Sequence, residues 1–242
     1  MAGPPTDPSR RGTGRPVTAA TIDLYAMALS AMSEPDGHRH WYARYETGGR
    51  RSIGDALRRW CSAVDATDRA FLNRATGDVL DAGCGPGRLL VELDRRGQRA
   101  AGLDTSRAAV LLARRAGATV LRRSVFDPVP GEGLWDTVLL ADGNVGIGGD
   151  PVALLARCRG LLAPTARVLV ELDPPGTGVR SNRVRLERGE GDVERGGWFD
   201  WAHVGIDAVA PVAVAAGLRV LDTWVEAERH FAALVPAPGP VF

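Results

Sequence analysis

Acidic side chains beside alternating glycines carry most of the chemistry this chain can perform. In VLDAGCGPG, Asp81 is followed at steps of two by Gly83, Gly85 and Gly87. Such glycines let a backbone without side chains pass tightly around a ligand, and loops of this kind hold nucleotides. The spacing narrows which one. A phosphate loop of the form GxxxxGK[ST] needs a lysine, and all 30 of the Lys+Arg residues are arginine. The same composition removes Schiff-base and lysine general-base chemistry. A dinucleotide GxGxxG would need a third glycine where Arg88 stands. Asp104, closing AAGLD, can accept both hydroxyls of a ribose, a device that NAD enzymes share. Asp142 in LLADGNVG and His203 beside Trp198, Phe199 and Trp201 are the candidate proton acceptors.

These residues need strands and helices to present them. Apolar runs at 78–82, 99–104, 118–122, 135–141 and 166–172 read as strands. The helices between them are punctuated by Gly97 and Gly117 at C′ positions and by Asp150-Pro151 as an N-cap with proline at N1. Alternating units of this kind predict an α/β fold, a parallel sheet covered on both faces. Residues 1–16, rich in Pro, Gly and Arg, read as a disordered tail. Residues 17–76 are expected to form a helical cap. Ile22, Tyr25, Leu29 and Met32 mark a first helix. A second starts at Ser52 with Asp55 as its capping partner, and buries Ile53, Leu57, Trp60, Val64 and Phe71. The remainder, 77–242, is the ligand-binding domain. Within it, 181–204 reads as an inserted antiparallel hairpin, followed by a helix ending at Gly217 and two closing strands.

VLDAGCGPG resembles the first motif of class I S-adenosylmethionine (SAM) dependent methyltransferases, and the resemblance runs over roughly residues 75–175. It implies a doubly wound, mostly parallel seven-stranded Rossmann-like sheet with an antiparallel last strand, N-terminal helices and the inserted hairpin. It also implies SAM as cofactor. Gly83, Cys84, Gly85 and Gly87 would surround the methionine part, and Asp81 would serve its amino group. Asp104 and Thr105 would take the ribose. The amides of Val125 and Phe126 would suit the adenine ring nitrogens, Phe126 would cover its face, and Asp127 would accept its amino group. Ala141 and Asp142 stand where cofactor and acceptor meet. Asp142 and His203 are then the candidate catalytic groups, and Tyr42, Tyr45, Asn144 and Trp201 the candidate acceptor-binding ones. Cys84 is given no catalysis. Some relatives, such as catechol O-methyltransferase, hold magnesium on two aspartates and an asparagine. Asp142 and Asp173 follow neighbouring strands, but Pro174 takes the asparagine's place, so no metal is expected.

The formal net charge of +1 gives no global pull toward nucleic acid or acidic membrane, and no run approaches a membrane span. Three cysteines, widely spaced and without CxxC, fit free thiols in a reducing cytoplasm. The expected activity is methyl transfer to an oxygen or nitrogen of a small, partly apolar molecule. A SAM-binding regulatory protein is the rival. An RNA methyltransferase using the arginines of RYETGGRR is a third reading, which the near-neutral charge disfavours. The helical N-terminus offers a surface for a homodimer.

Overall fold

The computed structural model describes residues 19–238, so the tail expected over 1–16 lies outside it. The cap expected to be helical over 17–76 is mixed. Between α1 (Ala19–Ala31) and α2 (Gly54–Cys61) runs a hairpin of β1 (Trp41–Tyr45) and β2 (Arg50–Ser52). Gly48 and Gly49 turn it at φ +107° and +87°, a region closed to most side chains. The helix expected from Ser52 through Phe71 also breaks. Ile53 begins α2 without a side-chain cap, and Asp55 is exposed. Asp65 and Asp68 instead form the reciprocal capping box of α3 (Ala66–Leu72). The break sends the apolar residues to separate cores. Ile53 and Leu57 pack with Trp41, whereas Val64 and Phe71 pack with Val79 and Phe231.

From β3 (Val79–Ala82) the chain alternates through α4 (Arg88–Arg95), β4 (Ala100–Asp104), α5 (Arg107–Arg115), β5 (Val120–Arg122), β6 (Trp135–Leu140), α6 (Pro151–Leu161) and β7 (Leu162–Leu172). Gly97 and Gly117 follow α4 and α5 in the left-handed region, and Asp150 caps α6 by accepting the Ala153 N–H at 3.0 Å. After β8 (Val179–Arg188), β9 (Glu194–Arg195) and β10 (Phe199–Val204), α7 (Val209–Ala215), β11 (Leu218–Glu226) and β12 (Arg229–Pro236) complete the chain. The main sheet has the order β11-β12-β7-β6-β3-β4-β5 and is parallel except at β12. The doubly wound α/β arrangement places the change of direction between β3 and β6. A crevice opens there at the strands' C-terminal ends, where ligands bind in such sheets.

The segment 181–204 does not stand alone as a hairpin. β8 and β10 join the N-terminal hairpin in a second sheet, β10-β8-β1-β2, with β9 on β8. Its β10 lies across the ends of the main sheet, where Ile147 bridges to Trp201 and Asp173 to Gly205. The contact is close: a methyl on Gly146 would stand 2.2 Å from the Ala202 carbonyl oxygen. Among the described residues, no helix is long and apolar enough to cross a membrane.

Candidate active site

Gly83, Gly85 and Gly87 all sit in the left-handed region, at φ +86°, +53° and +87°, each with a different neighbour. A methyl on Gly83 would come within 2.6 Å of the Asn144 amide nitrogen, and one on Gly87 within 2.8 Å of Ala113 Cβ. Gly87 therefore lets α4 pack on α5. Gly85 faces the Tyr25 hydroxyl, 3.5 Å from where a methyl would sit. Cys84 turns its side chain into the core. Its side chain packs with Leu90 and Val110, its N–H donates to Leu103 O, and its carbonyl accepts from Gly87 N. Burial pushes its thiol well up.

Asp81 is only 1% exposed, and its Oδ1 has no hydrogen-bond partner. Burial raises its carboxyl to about 7, opposed by the field of Arg88 and reinforced by Asp142 and Asp104. A buried acceptor left unpaired is costly, and an ammonium is its strongest complement. Asp104 accepts the N–H groups of Gly85 at 2.9 Å and Ser106 at 2.7 Å, which fixes its carboxylate at the loop's edge beside exposed Thr105. Each carboxylate oxygen keeps a further lone pair. Asp127 is exposed and accepts from Ser124 N at 3.1 Å. Arg157 braces this loop by donating to Val125 O and Asp127 O. Phe126 is 41% exposed and lies on Gly148, where a methyl would stand 2.9 Å from its ring.

Buried Ala141 precedes Asp142, the expected base. The Asp142 carboxylate is committed elsewhere. Arg88 holds it at 2.6 and 3.2 Å and Arg59 at 3.2 Å, while the Asp142 N–H donates to Glu171 at 2.6 Å. A carboxylate gripped by two guanidiniums is anchored to them and not turned toward an acceptor. Asn144, expected at the acceptor, spends its amide on the glycine loop. Its Nδ2 donates to Ala82 O at 3.1 Å and Gly83 O at 2.8 Å.

The inner face of the second sheet carries the other candidates. Phe199, Trp201 and His203 alternate along β10 and so share one face. Tyr45 joins Phe199 and Trp201 in packing on the Trp41–Leu57 core, as do Tyr25 and Trp60 from the helices. His203 lies beside Tyr45, with ring centroids 5.9 Å apart. Its Nδ1 is 3.1 Å from Asp173 Oδ2 and its Nε2 is 3.3 Å from Tyr45 Oη. An ionised carboxylate only accepts, so Nδ1 carries the proton and Nε2 is the basic nitrogen. Tyr42 belongs on the opposite face. Three residues from Tyr45 in an extended strand, it lies under Arg50, 3.6 Å from ring centroid to guanidinium carbon, and its hydroxyl donates to Glu190. It is not part of this wall.

Sequence reasoning did not connect Asp173 with His203, weighed Arg88 only as a missing glycine, and gave Tyr25, Arg59, Glu171 and Arg229 no role at the site. Asp173 carried a signal, a carboxylate ending a strand next to the one that ends at Asp142. Arg88 directly follows the glycine motif, whereas Tyr25, Arg59, Glu171 and Arg229 lie far from it in sequence.

A family model described as a methyltransferase domain matches residues 51–222. A search of curated proteins finds no match. Among solved structures, the chain is similar to a SAM-dependent methyltransferase from Bacteroides fragilis in complex with S-adenosyl-L-homocysteine. Identity is 20%, coverage 92% of this chain and 98% of that one, and the TM-score 0.67. For the CcbJ methyltransferase from Streptomyces caelestis, identity is 17%, coverage 70% and 94%, and the TM-score 0.54. For the 1,6-didemethyltoxoflavin-N1-methyltransferase from Burkholderia thailandensis, identity is 18%, coverage 90% of both chains, and the TM-score 0.52. The chain belongs to the methyltransferase domain family and has its Rossmann-like fold.

Proposed function

We propose that this methyltransferase uses SAM to methylate an oxygen or nitrogen of a small, partly apolar molecule, with His203 as the general base. The carrying observation is the Asp173–His203–Tyr45 relay on an aromatic wall. Asp173 orients the imidazole by accepting from Nδ1, which turns Nε2 toward the wall, and Nε2 would take the proton of an acceptor placed where the Tyr45 hydroxyl now lies. Trp201 and Phe199 would hold the acceptor's apolar part.

The residues present fit SAM. Asp81 offers an unpaired buried oxygen for the ammonium, Asp104 has free lone pairs for ribose hydroxyls, and Phe126 with Asp127 suits adenine. When bound, SAM supplies a methyl carbon already activated by its sulfonium. The protein's task is then alignment and proton removal. The similar Burkholderia enzyme binds 1,6-didemethyltoxoflavin, which supports a small acceptor here. Three free cysteines suit a reducing cytoplasm.

The test is a panel of hydroxyl and amine acceptors with SAM, scored by S-adenosylhomocysteine (SAH) release, on wild type, His203→Gln and Asp173→Asn. His203→Gln should lose about 10²–10⁴-fold in kcat with SAH affinity intact. An unchanged rate across the pH range would remove His203 from the reaction.

A further inference from the structure

A ring of two arginines and three carboxylates lies behind the glycine loop. Arg88, the first residue of α4, donates to Asp68 at 2.9 and 3.1 Å and to Asp142 at 2.6 Å. Arg229, the first residue of β12, donates to Asp68 at 2.9 Å and grips both oxygens of Glu171 at 2.8 Å each. Glu171 closes the ring by accepting the Asp142 N–H. The side chains of Arg88, Asp68, Asp142, Arg229 and Glu171 are between 2% and 14% exposed. Arg59 on Asp142 and Asp65 beside Arg229 reach further into solvent.

Buried ion pairs are weak sources of stability, because desolvation offsets most of the attraction. Holding one geometry is the better account of such a ring. The geometry held is unusual. Asp142 is not glycine, yet it has φ +55°, and residues in that region persist when their surroundings over-determine them. Here its N–H is taken by Glu171 and its carboxylate by Arg88 and Arg59. The turn it starts carries Asn144, whose amide is bonded to Ala82 O and Gly83 O. Direct contacts therefore run from Arg229 through Glu171, Asp142 and Asn144 to the glycine loop. No direct contact joins Arg229 to the loop itself among its hydrogen bonds and ion pairs.

We infer that Arg229 and Glu171 are positioning residues for the cofactor: they lock the left-handed Asp142 turn, and through Asn144 they hold the glycine loop in its ligand-ready shape. The inference rests on the SAM reading above. The test is calorimetric titration of the full chain with SAH, beside thermal denaturation, for Arg229→Met, Glu171→Gln, Arg229→Lys and the double variant Arg229→Met/Glu171→Gln. Arg74→Met is the control, since Arg74 pairs with Asp222 and stacks on Trp224 away from the ring. Arg229→Met and Glu171→Gln should each weaken SAH by about tenfold or more, the scale on which a misplaced binding group lowers affinity. The double variant should lose little beyond either single one, because both break the same lock. Arg229→Lys, which keeps one charge and loses the fork, should fall between and reads the effect if Arg229→Met does not fold. Arg74→Met should bind as wild type whatever its thermal stability. Folded ring variants that bind SAH as tightly as wild type overturn the inference alone. A wild type that binds no SAH overturns the cofactor reading.

Discussion

Replacing Asp81 by asparagine removes a charge that the fold buries without a partner. The gap between an ordinary carboxyl at 3.8 and Asp81 at about 7, at about 1.4 kcal/mol per pH unit, makes the ionised group about 4 kcal/mol unfavourable in the native state. The sign follows from proton counting. Below the unfolded value both states hold the proton. Between 3.8 and about 7 the unfolded chain releases it while the native state keeps it, so stability falls as pH rises. Above that window the full penalty stands. Asparagine has its own cost of burial, but that cost does not titrate. Asp81→Asn should therefore gain about 3 kcal/mol relative to wild type between about pH 4.5 and pH 8, read as the change in ΔΔG from urea denaturation. Binding reverses the balance, since an ammonium at Asp81 draws the carboxyl to its ionised form. Wild type should bind SAH about tenfold more tightly at pH 8 than at pH 6, the ratio of ionised carboxyl at the two values. Asp81→Asn should bind weakly and without that slope. A swing below about 1 kcal/mol, with wild-type affinity flat in pH, would refute the account of Asp81 as an unpaired acceptor awaiting a cation.

Asp104→Ala should weaken SAH binding by about 1.5–3 kcal/mol in the same titration, the worth of hydrogen bonds to a charged group. Glu187, 2% exposed, faces Arg44, Arg50 and Arg185. Burial opposes its ionisation, but Arg185 and Arg44 prevail and hold it below its usual value of 4.5. Glu187→Gln should cost about 2–4 kcal/mol at neutral pH by denaturant titration. The difference should shrink as pH falls below 4.5, where the wild-type carboxylate loses its charge as well. Gly146→Ala should lower the melting temperature and acceptor turnover more than SAH affinity, because the added methyl drives β10 away from the turn after β6.

The main sheet was legible because each strand–helix unit carries its own punctuation within a few residues, as at Asp150-Pro151 and Gly97. The second sheet was not. β1 pairs with β8, so Tyr42 meets Glu187 and Tyr45 meets Val184, and no local pattern announces a partner so distant. The hairpin itself left a trace in WYARYETGGRR, with Trp41, Ala43 and Tyr45 at alternate positions followed by two glycines. Pro35, Gly37 and the Gly48-Gly49 pair read instead as a break between helices. The same distance hid the fate of Asp142. Its position at a strand end suggested a base, while Arg59 and Arg88, which occupy its carboxylate, come from a helix in the cap and the helix after the glycine loop. Tyr42 and Tyr45 looked equivalent until a strand put them on opposite faces.

The shared second sheet bears on how such a protein can be re-engineered. Tyr45 arrives on a hairpin near the N-terminus, whereas Trp201 and His203 arrive on an insertion after β7, and main-chain pairing between the two places them side by side. A chimera that imports only the insertion from another methyltransferase would dock foreign strands on a native edge and put the aromatic wall out of register. The transferable cassette is discontinuous: both segments must move together, with the glycine-loop half of the chain left as the chassis.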